Sequence, residues 1–178
     1  MFEVISGFTT TGASILPDVE SLSHCMLIWR SFTHRIGGMG VLVFILAVLP
    51  LAGGYNMYLM KAESPGPSVG KLVPKVKSTA KILYGIYFFM TVVEILLLLA
   101  GGMPLFDSLA TGFGTAGTGG FGIKNSSIAY YDSYYLQGVI TVFMILFGIN
   151  FNVYYLFLVH HPKDALRCEE ARVYLGIL

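Results

Sequence analysis

Near the start of the chain stands the polar run Phe8-Thr9-Thr10-Thr11-Gly12-Ala13-Ser14, and a related run, Gly117-Thr118-Gly119-Gly120-Phe121-Gly122, stands much later. Both runs are rich in small residues and lie beside strongly apolar sequence. Irregular backbone is tolerated at membrane depth only where it is buried in protein or lines a watery cavity. One such arrangement is an ion selectivity filter, whose backbone carbonyl oxygens replace the water around a cation. The two runs therefore indicate two filter loops.

Glycine suits such a loop because it reaches the positive φ values that turn a carbonyl inward. Aligning Gly12 with Gly120 pairs Thr10 with Thr118 and Ser14 with Gly122. We expect both aligned glycines to need a positive φ. The repeat is weak in residue identity but clear in the order of its parts.

The composition agrees with a membrane protein. Of the 178 residues, 55% are hydrophobic and 12% are charged, and the mean hydropathy is +0.72, which lies outside the range of ordinary soluble domains. The net charge of +1 gives no indication of a nucleic-acid partner. Cys25 and Cys168 stand far apart and form neither a metal motif nor a disulfide framework.

Several further stretches, in their order along the chain, resemble the potassium transporter family of TrkH and KtrB, the channel-like subunits of bacterial Trk and Ktr systems. Ser6–Ser14 is similar to the first filter of that family, and Gly119–Phe121 is similar to the second. Trp29–Phe32 and Ile36–Gly40 look like the helix after the first filter, and Ala62–Pro67 looks like the first cytoplasmic loop. The resemblance covers almost the whole chain.

The resemblance implies a function and a set of partners. In this family four helix–pore loop–helix repeats surround one pore, so we expect a pore-forming subunit for potassium uptake, with potassium as substrate, no cofactor and no enzymatic activity. It also implies a homodimer, a cytosolic nucleotide-binding regulatory subunit, and a multi-pass position in the lipid of the inner (plasma) membrane. The implied ion-binding filter residues are Thr9, Thr10, Thr11, Gly12, Gly117, Thr118, Gly119 and Gly120, with Arg30 and Asp107 as possible pore support.

The hydropathy pattern predicts an all-α integral membrane fold with about three full spans and two re-entrant filter loops. Residues 1–51 would end a first repeat, with a partial pore helix, the filter, and an inward helix from Met26 to about Leu51. Only Met1–Gly7 remain of that pore helix, so we interpret the chain as a piece of a longer protein or as a product started internally. Residues 52–81 are rich in lysine, which marks the cytoplasmic side.

Residues 82–160 would form the second repeat. It has an outward helix from Ile82 to about Gly101 and a pore helix that Asp107 caps and that runs to about Thr115. The second filter and a third span from about Tyr134 to Val159 follow. Residues 161–178 would be a cytoplasmic loop and the start of another span.

Charged residues inside these spans have two interpretations each. Arg30, His34 and Arg35 could reach toward the interface, or Arg30 could support a neighbouring pore loop; Arg35 stands where the family has an aromatic residue. An ordinary interfacial position is the default for the four histidines. Glu94 could line the ion pathway, or it could be a buried carboxyl that is hydrogen-bonded or protonated.

The alternative functions are a membrane scaffold whose glycines only pack helices, and an integral-membrane enzyme. Packing glycines recur inside helices, whereas these runs interrupt helices. No acid, base or metal ligand stands beside them, as an enzyme would need. A literal G-x-G-x-x-G at Gly112, Gly114 and Gly117 lacks the strand that a dinucleotide site requires.

Overall fold

A computed structural model of the chain describes residues 1–40, 76–158 and 169–177. All regular elements among these residues are helices, as predicted. The inner part of the first predicted span, the lysine-rich loop up to residue 75, and the basic residues from His160 to Arg167 lie outside the described residues. Residues 76–81, predicted to end that loop, belong instead to the helix Val76–Ala100.

The helices are numbered in chain order. They are α1 (Phe2–Phe8), α2 (His24–Gly38), α3 (Val76–Ala100), α4 (Leu105–Ala116), a short 3₁₀ helix (Ser127–Tyr130), α5 (Tyr134–Gly148), α6 (Phe151–Leu158) and α7 (Glu169–Ile177). Among the described residues, one helical stretch, Lys81–Ala100 in α3, is long and apolar enough to cross a membrane, with a mean hydropathy of 2.3. This stretch coincides with the predicted outward helix.

The described residues fall into two compact units. The first contains residues 1–38 and 89–147 and so holds both predicted filter loops. Its apolar core has two clusters, one of Leu98, Met103, Leu136 and Ile140, the other of Leu27, Ala110 and Ile123.

Helix α2 lies at the centre of the first unit, where it packs against both α1 and α4. Small residues allow the close approach to α1. A Cβ added to Gly37 would lie 2.8 Å from the carbonyl carbon of Phe8, and one added to Gly7 would lie 3.0 Å from Cβ of Thr33. Gly37 therefore serves close helix packing, since a larger side chain would push α2 away from the end of α1.

The second unit, taken by itself, contains the first part of α3, the end of α5 and helices α6 and α7. Val153 and Ala171 form its small buried cluster. The amide of Asn150 donates a hydrogen bond of 2.8 Å to the carboxylate of Glu170, which joins the start of α6 to α7.

Two predicted spans are not continuous helices. In the first span the helix ends at Gly38, and Gly40 has a φ of +80°. Glycines stand at positions 37, 38 and 40, and glycine has the weakest helix propensity after proline. Glycine also adopts left-handed backbone without strain. The third span is interrupted between Gly148 and Phe151. There the carbonyl of Asn150 accepts a 3.0 Å hydrogen bond from the amide of Val153 and so starts a new helix.

The predicted helix cap at Asp107 is also wrong. Helix α4 begins at Leu105 after Pro104, which is the N-cap residue and has a φ of −55°. The ring of proline fixes φ near this value, and proline has no N–H that would need a hydrogen-bond partner at the start of a helix. Asp107 therefore lies in the first turn of α4, where a negative charge still interacts favourably with the helix dipole.

Candidate ion-selectivity site

The first predicted filter begins where α1 ends. The amide of Thr11 donates to the carbonyl of Ser6 at 3.0 Å, and the amide of Thr10 donates to the carbonyl of Gly7 at 3.1 Å. These two bonds form a Schellman motif, which requires left-handed backbone at the residue after the cap. That residue is usually glycine, but here it is Thr10, with a φ of +56°.

The second predicted filter repeats this backbone. Helix α4 ends with Gly117 as its C-cap, and Thr118 follows with a φ of +56°. Two residues later Gly120 has a φ of +72°, which matches the +70° of Gly12. The predicted pairing of Thr10 with Thr118 and of Gly12 with Gly120 is confirmed for the backbone.

This conformation is strained at the threonines. A left-handed residue other than glycine costs roughly 1–2 kcal/mol, and such strain persists only where the surroundings hold it. The hydroxyl of Thr9 contacts that of Thr11 at 2.8 Å and the carbonyl of Ile5 at 2.8 Å. The same strain occurs at Thr10 and at the equivalent Thr118, so it is a property of this type of loop.

The two loops touch each other through their backbones. A Cβ added to Gly12 would lie 2.7 Å from the carbonyl carbon of Gly119, and one added to Gly119 would lie 2.6 Å from the carbonyl oxygen of Thr10. No side chain fits between these segments. The structure thus brings together Thr10, Gly12 and Gly119 of the predicted filter residues, while Gly117 is buried and Thr118 and Gly120 are exposed.

Arg30 of α2 joins the two loops. Its Nε donates to Oε2 of Glu3 at 2.8 Å, and its Nη2 donates to the hydroxyl of Ser14 at 3.2 Å. Its guanidinium also lies 4.5 Å from the centre of the Phe121 ring, which is a cation–π distance. The side chain is 6% exposed. The interfacial interpretation of Arg30 is therefore wrong, and its contacts are those of a residue that supports the loops.

Glu3 is the partner that the sequence analysis missed. Its Oε1 accepts hydrogen bonds from the Ser14 hydroxyl and the Ile15 amide, both at 2.9 Å. Partial burial alone would raise the pKa of this carboxyl. The hydrogen bonds from Ile15, Ser14 and Arg30 and the charge of Arg30 outweigh burial and hold the pKa below its ordinary value. The carboxylate is consequently charged at neutral pH, and its stabilising contribution is lost only as the pH falls through that lowered pKa.

His34 lies directly behind the second loop. Its side chain is fully buried, and its ring centre is 4.9 Å from that of Phe121. Neither ring nitrogen has a hydrogen-bond partner among the described residues, an arrangement that costs about 1–3 kcal/mol for each buried polar group. The interfacial assignment is wrong for this histidine, and nothing in the local sequence distinguishes it from the others.

Arg35 is also buried, so the interfacial interpretation is wrong for it as well. Its guanidinium lies 5.1 Å from the centre of the Phe113 ring. Phe113 belongs to α4, the helix that leads into the second loop. Arg35 therefore contacts the pore-helix candidate and not lipid headgroups.

Glu94 and Asp107, both in the second predicted repeat, are not part of either loop. Glu94 is fully buried beside α4, with Oε2 3.9 Å from where a Cβ of Gly112 would stand. The hydroxyl of the neighbouring Thr115 donates to the carbonyl of Thr111 at 2.9 Å. Asp107 accepts a hydrogen bond from the hydroxyl of Tyr131; burial and this bond raise the pKa of Tyr131.

A further contact joins the outer segments that follow the two loops. The side-chain amide of Asn125 donates to Oδ1 of Asp18 at 2.8 Å and accepts from the amide of Val19 at 2.8 Å. Its backbone amide donates to Oε1 of Glu20 at 3.1 Å. The bond from Asn125 is the main reason that the pKa of Asp18 is lowered. The two loops are thus joined by Arg30, and the segments that follow them are joined by Asn125.

Known proteins resemble this chain over almost its whole length. A family model described as "TrkH: Cation transport protein" matches residues 1–176. The chain is 38% identical over 178 residues to the Trk system potassium uptake protein TrkH of Salmonella typhimurium and of Escherichia coli K12. It is 37% identical over 179 residues to the Trk system potassium uptake protein TrkG of Escherichia coli K12. Each match covers 99% of this chain, which spans 37% of the length of each relative.

Proposed function

The chain belongs to the TrkH family of cation transport proteins, and from this premise we propose that it forms part of the pore of a potassium uptake transporter. The observation that carries the proposal is the repeated backbone of the two loops. Each follows the end of a short helix, has a left-handed threonine, and has a left-handed glycine two residues later. Two neighbouring loops of the same backbone conformation fit a filter, which places backbone carbonyl oxygens around an ion.

The proposed ion-binding residues are those of the two loops. Thr9, Thr10, Thr11 and Gly12 contribute from the first, and Gly117, Thr118, Gly119 and Gly120 contribute from the second. Their carbonyl oxygens would replace water around a potassium ion. Helices α1 and α4 end at these loops, so the negative ends of their dipoles favour a cation there. Arg30 and Asp107 would support the loops without touching the ion.

We also propose that helix–pore loop–helix repeats build the pore. The segments would be residues 1–51, the cytoplasmic loop 52–81, the second repeat 82–160, and the segment 161–178 that leads to a further span. Helices α2 and α5, the inward helices of the two repeats, each have 15 residues. Matching their ends aligns Leu27 with Gln137, Arg30 with Ile140, Ser31 with Thr141, and His34 with Met144.

An open cavity supports a further repeat. Leu27, Arg30 and His34 of α2 contact α4 and the second loop. The matching face of α5 instead lines a cavity of about 370 Å³, together with residues of the second loop. In the first repeat, α4 and the second loop pack against α2 and the first loop. By the symmetry of the repeats, a third pore loop would pack against α5 and the second loop in this cavity.

Partners and location follow from the family in the same way. The printed names of the relatives describe a potassium uptake protein of a Trk system. We propose that the transporter is a homodimer in the inner membrane and that it works with a cytosolic nucleotide-binding regulatory subunit. Neither a scaffold nor an enzyme is favoured, because the family is one of transporters.

The proposal is tested by growth at low potassium in a bacterial strain that lacks its own potassium uptake systems. The complete membrane protein that carries residues 1–178 should restore growth. The 178-residue chain alone should not, because it supplies two of the four loops that the family resemblance implies for one pore. Failure of the complete protein to support growth, despite its presence in the membrane, would contradict the proposed function. Rescue by the 178-residue chain would contradict the multi-repeat architecture.

The proposed topology gives a separate prediction. In the complete protein, with Cys25 and Cys168 replaced by serine, single cysteines introduced at positions 123–132 should react with an impermeant thiol reagent from outside. Cysteines at positions 61–77 should not, because the lysines there favour the cytoplasm. The reverse labelling pattern would place the loops on the wrong side of the membrane for uptake from outside.

A further inference from the structure

We infer that His34 is a positioning residue that sets the spacing of the two loops and thereby the discrimination of potassium from sodium. This inference rests on the proposed function, because it concerns the same loops. His34 belongs to α2 and is part of neither loop.

The contacts of His34 reach the filter through two glycines. A Cβ on Gly117 would overlap Cδ2 of the His34 ring and would stand 2.8 Å from Nε2, and a Cβ on Gly119 would overlap the Nε2 side of the ring. The ring therefore rests directly on the backbone of the second loop. Gly119 in turn contacts Gly12 and the carbonyl of Thr10 in the first loop. His34 therefore contacts the second loop directly and the first loop through Gly119.

The position of the second loop depends on what stands behind it. The loop holds Thr118 in left-handed backbone, which in a residue other than glycine persists only where neighbouring groups hold it. The fully buried ring fills the space on that side. Without the ring, the second loop can relax toward α2 and away from Gly12. Because a filter selects between ions by the placement and field of its carbonyls, such a shift should lower selectivity before it abolishes ion flow.

Leu27 offers a matched control. It lies two helical turns earlier on α2 and is also buried, at 6% exposure. It packs against Ala110 and Ile123, outside the two glycine-containing loops. Its truncation removes a buried side chain from the same helix and the same α4 interface but leaves the support behind Gly117 and Gly119 in place.

The test compares His34→Ala, His34→Gln and Leu27→Ala in the complete transporter. Uptake of potassium and of sodium is measured separately, and each is normalised to the amount of protein in the membrane. His34→Ala should lower the potassium-to-sodium ratio about tenfold or more, since displacement of a binding group by about 1 Å has effects of this size. His34→Gln, of similar volume, should keep most of the wild-type ratio. Leu27→Ala should lower the amount of protein and leave the ratio unchanged.

The outcomes separate this inference from the proposed function. A wild-type protein without selective potassium uptake would overturn the proposed function itself. A selective wild type with an unchanged ratio in His34→Ala would overturn only the role of His34. Equal loss of selectivity in Leu27→Ala and His34→Ala would also overturn it, because any packing defect in α2 would then suffice. Should His34→Ala leave too little protein to measure, His34→Asn, which removes the ring atoms that contact Gly117 and Gly119, decides: a lowered ratio supports the role, and an unchanged ratio overturns it.

Discussion

Replacing Arg30 by alanine should destabilise the protein by about 3–5 kcal/mol, the range measured when one partner of a buried ion pair is removed. Arg30 is 6% exposed, and the side chain of Glu3 is 18% exposed. The substitution would leave that carboxylate with the Ser14 and Ile15 donors only and would remove the contact with Phe121. The expected result is a loss of folded transporter from the membrane together with a loss of potassium uptake.

The measurement is the free energy of unfolding in detergent, with uptake assayed in parallel. Arg172→Ala is the matched control, since Arg172 is an exposed arginine of α7 and its removal should change stability by less than about 0.5 kcal/mol. The double variant Glu3→Gln/Arg30→Met should lose less stability than Arg30→Ala, because it removes both charges. Equal stability of Arg30→Ala and Arg172→Ala would show that the ion pair does not hold the loops.

Alanine at Gly12 should be far more damaging than alanine at Gly120, although the two glycines have nearly the same φ. At Gly120 nothing lies within 4 Å of an added Cβ, so the cost is that of the left-handed backbone alone, roughly 1–2 kcal/mol. At Gly12 the Cβ would also meet the backbone of Gly119, which cannot rotate aside as a side chain can. We expect Gly120→Ala to fold with reduced selectivity and Gly12→Ala to separate the loops and end uptake.

Gly138→Ala is the matched control for this pair. Gly138 lies inside α5 with nothing within 4 Å of an added Cβ, so alanine should be neutral or stabilise the helix by up to about 1 kcal/mol. Membrane abundance and uptake of the three variants give the comparison. Equal behaviour of Gly12→Ala and Gly120→Ala would contradict the backbone contact between the loops.

The loop conformations could be predicted from sequence because they depend on local requirements. Gly12 and Gly120 each follow a short helix and a threonine, and the need for positive φ is a property of a few consecutive residues. The same reasoning chose Gly120 over Gly119 as the partner of Gly12, which the φ values confirm. The ion chemistry of these residues stays a prediction.

The contacts that hold the loops could not be predicted, since they join residues far apart in sequence. Glu3 meets Arg30 across 27 positions, and Asn125 meets Asp18 across 107. The sequence shows an arginine and a histidine in an apolar helix, but only the fold reveals that Arg30 and His34 turn toward the loops and not toward the interface. Hydropathy likewise overlooked the helix ends at Gly38 and Gly148, because an apolar run looks the same whether its backbone is continuous or broken.

Selection of potassium by these two loops can be measured as ion flux into liposomes that contain the purified complete transporter, either wild type or Gly120→Ser. We expect the wild type to carry potassium in strong preference to sodium. Gly120→Ser, whose side chain has room but whose φ of +72° is strained, should carry both ions with a clearly lower preference. A Gly120→Ser transporter with the full wild-type preference for potassium would contradict selection by these loops.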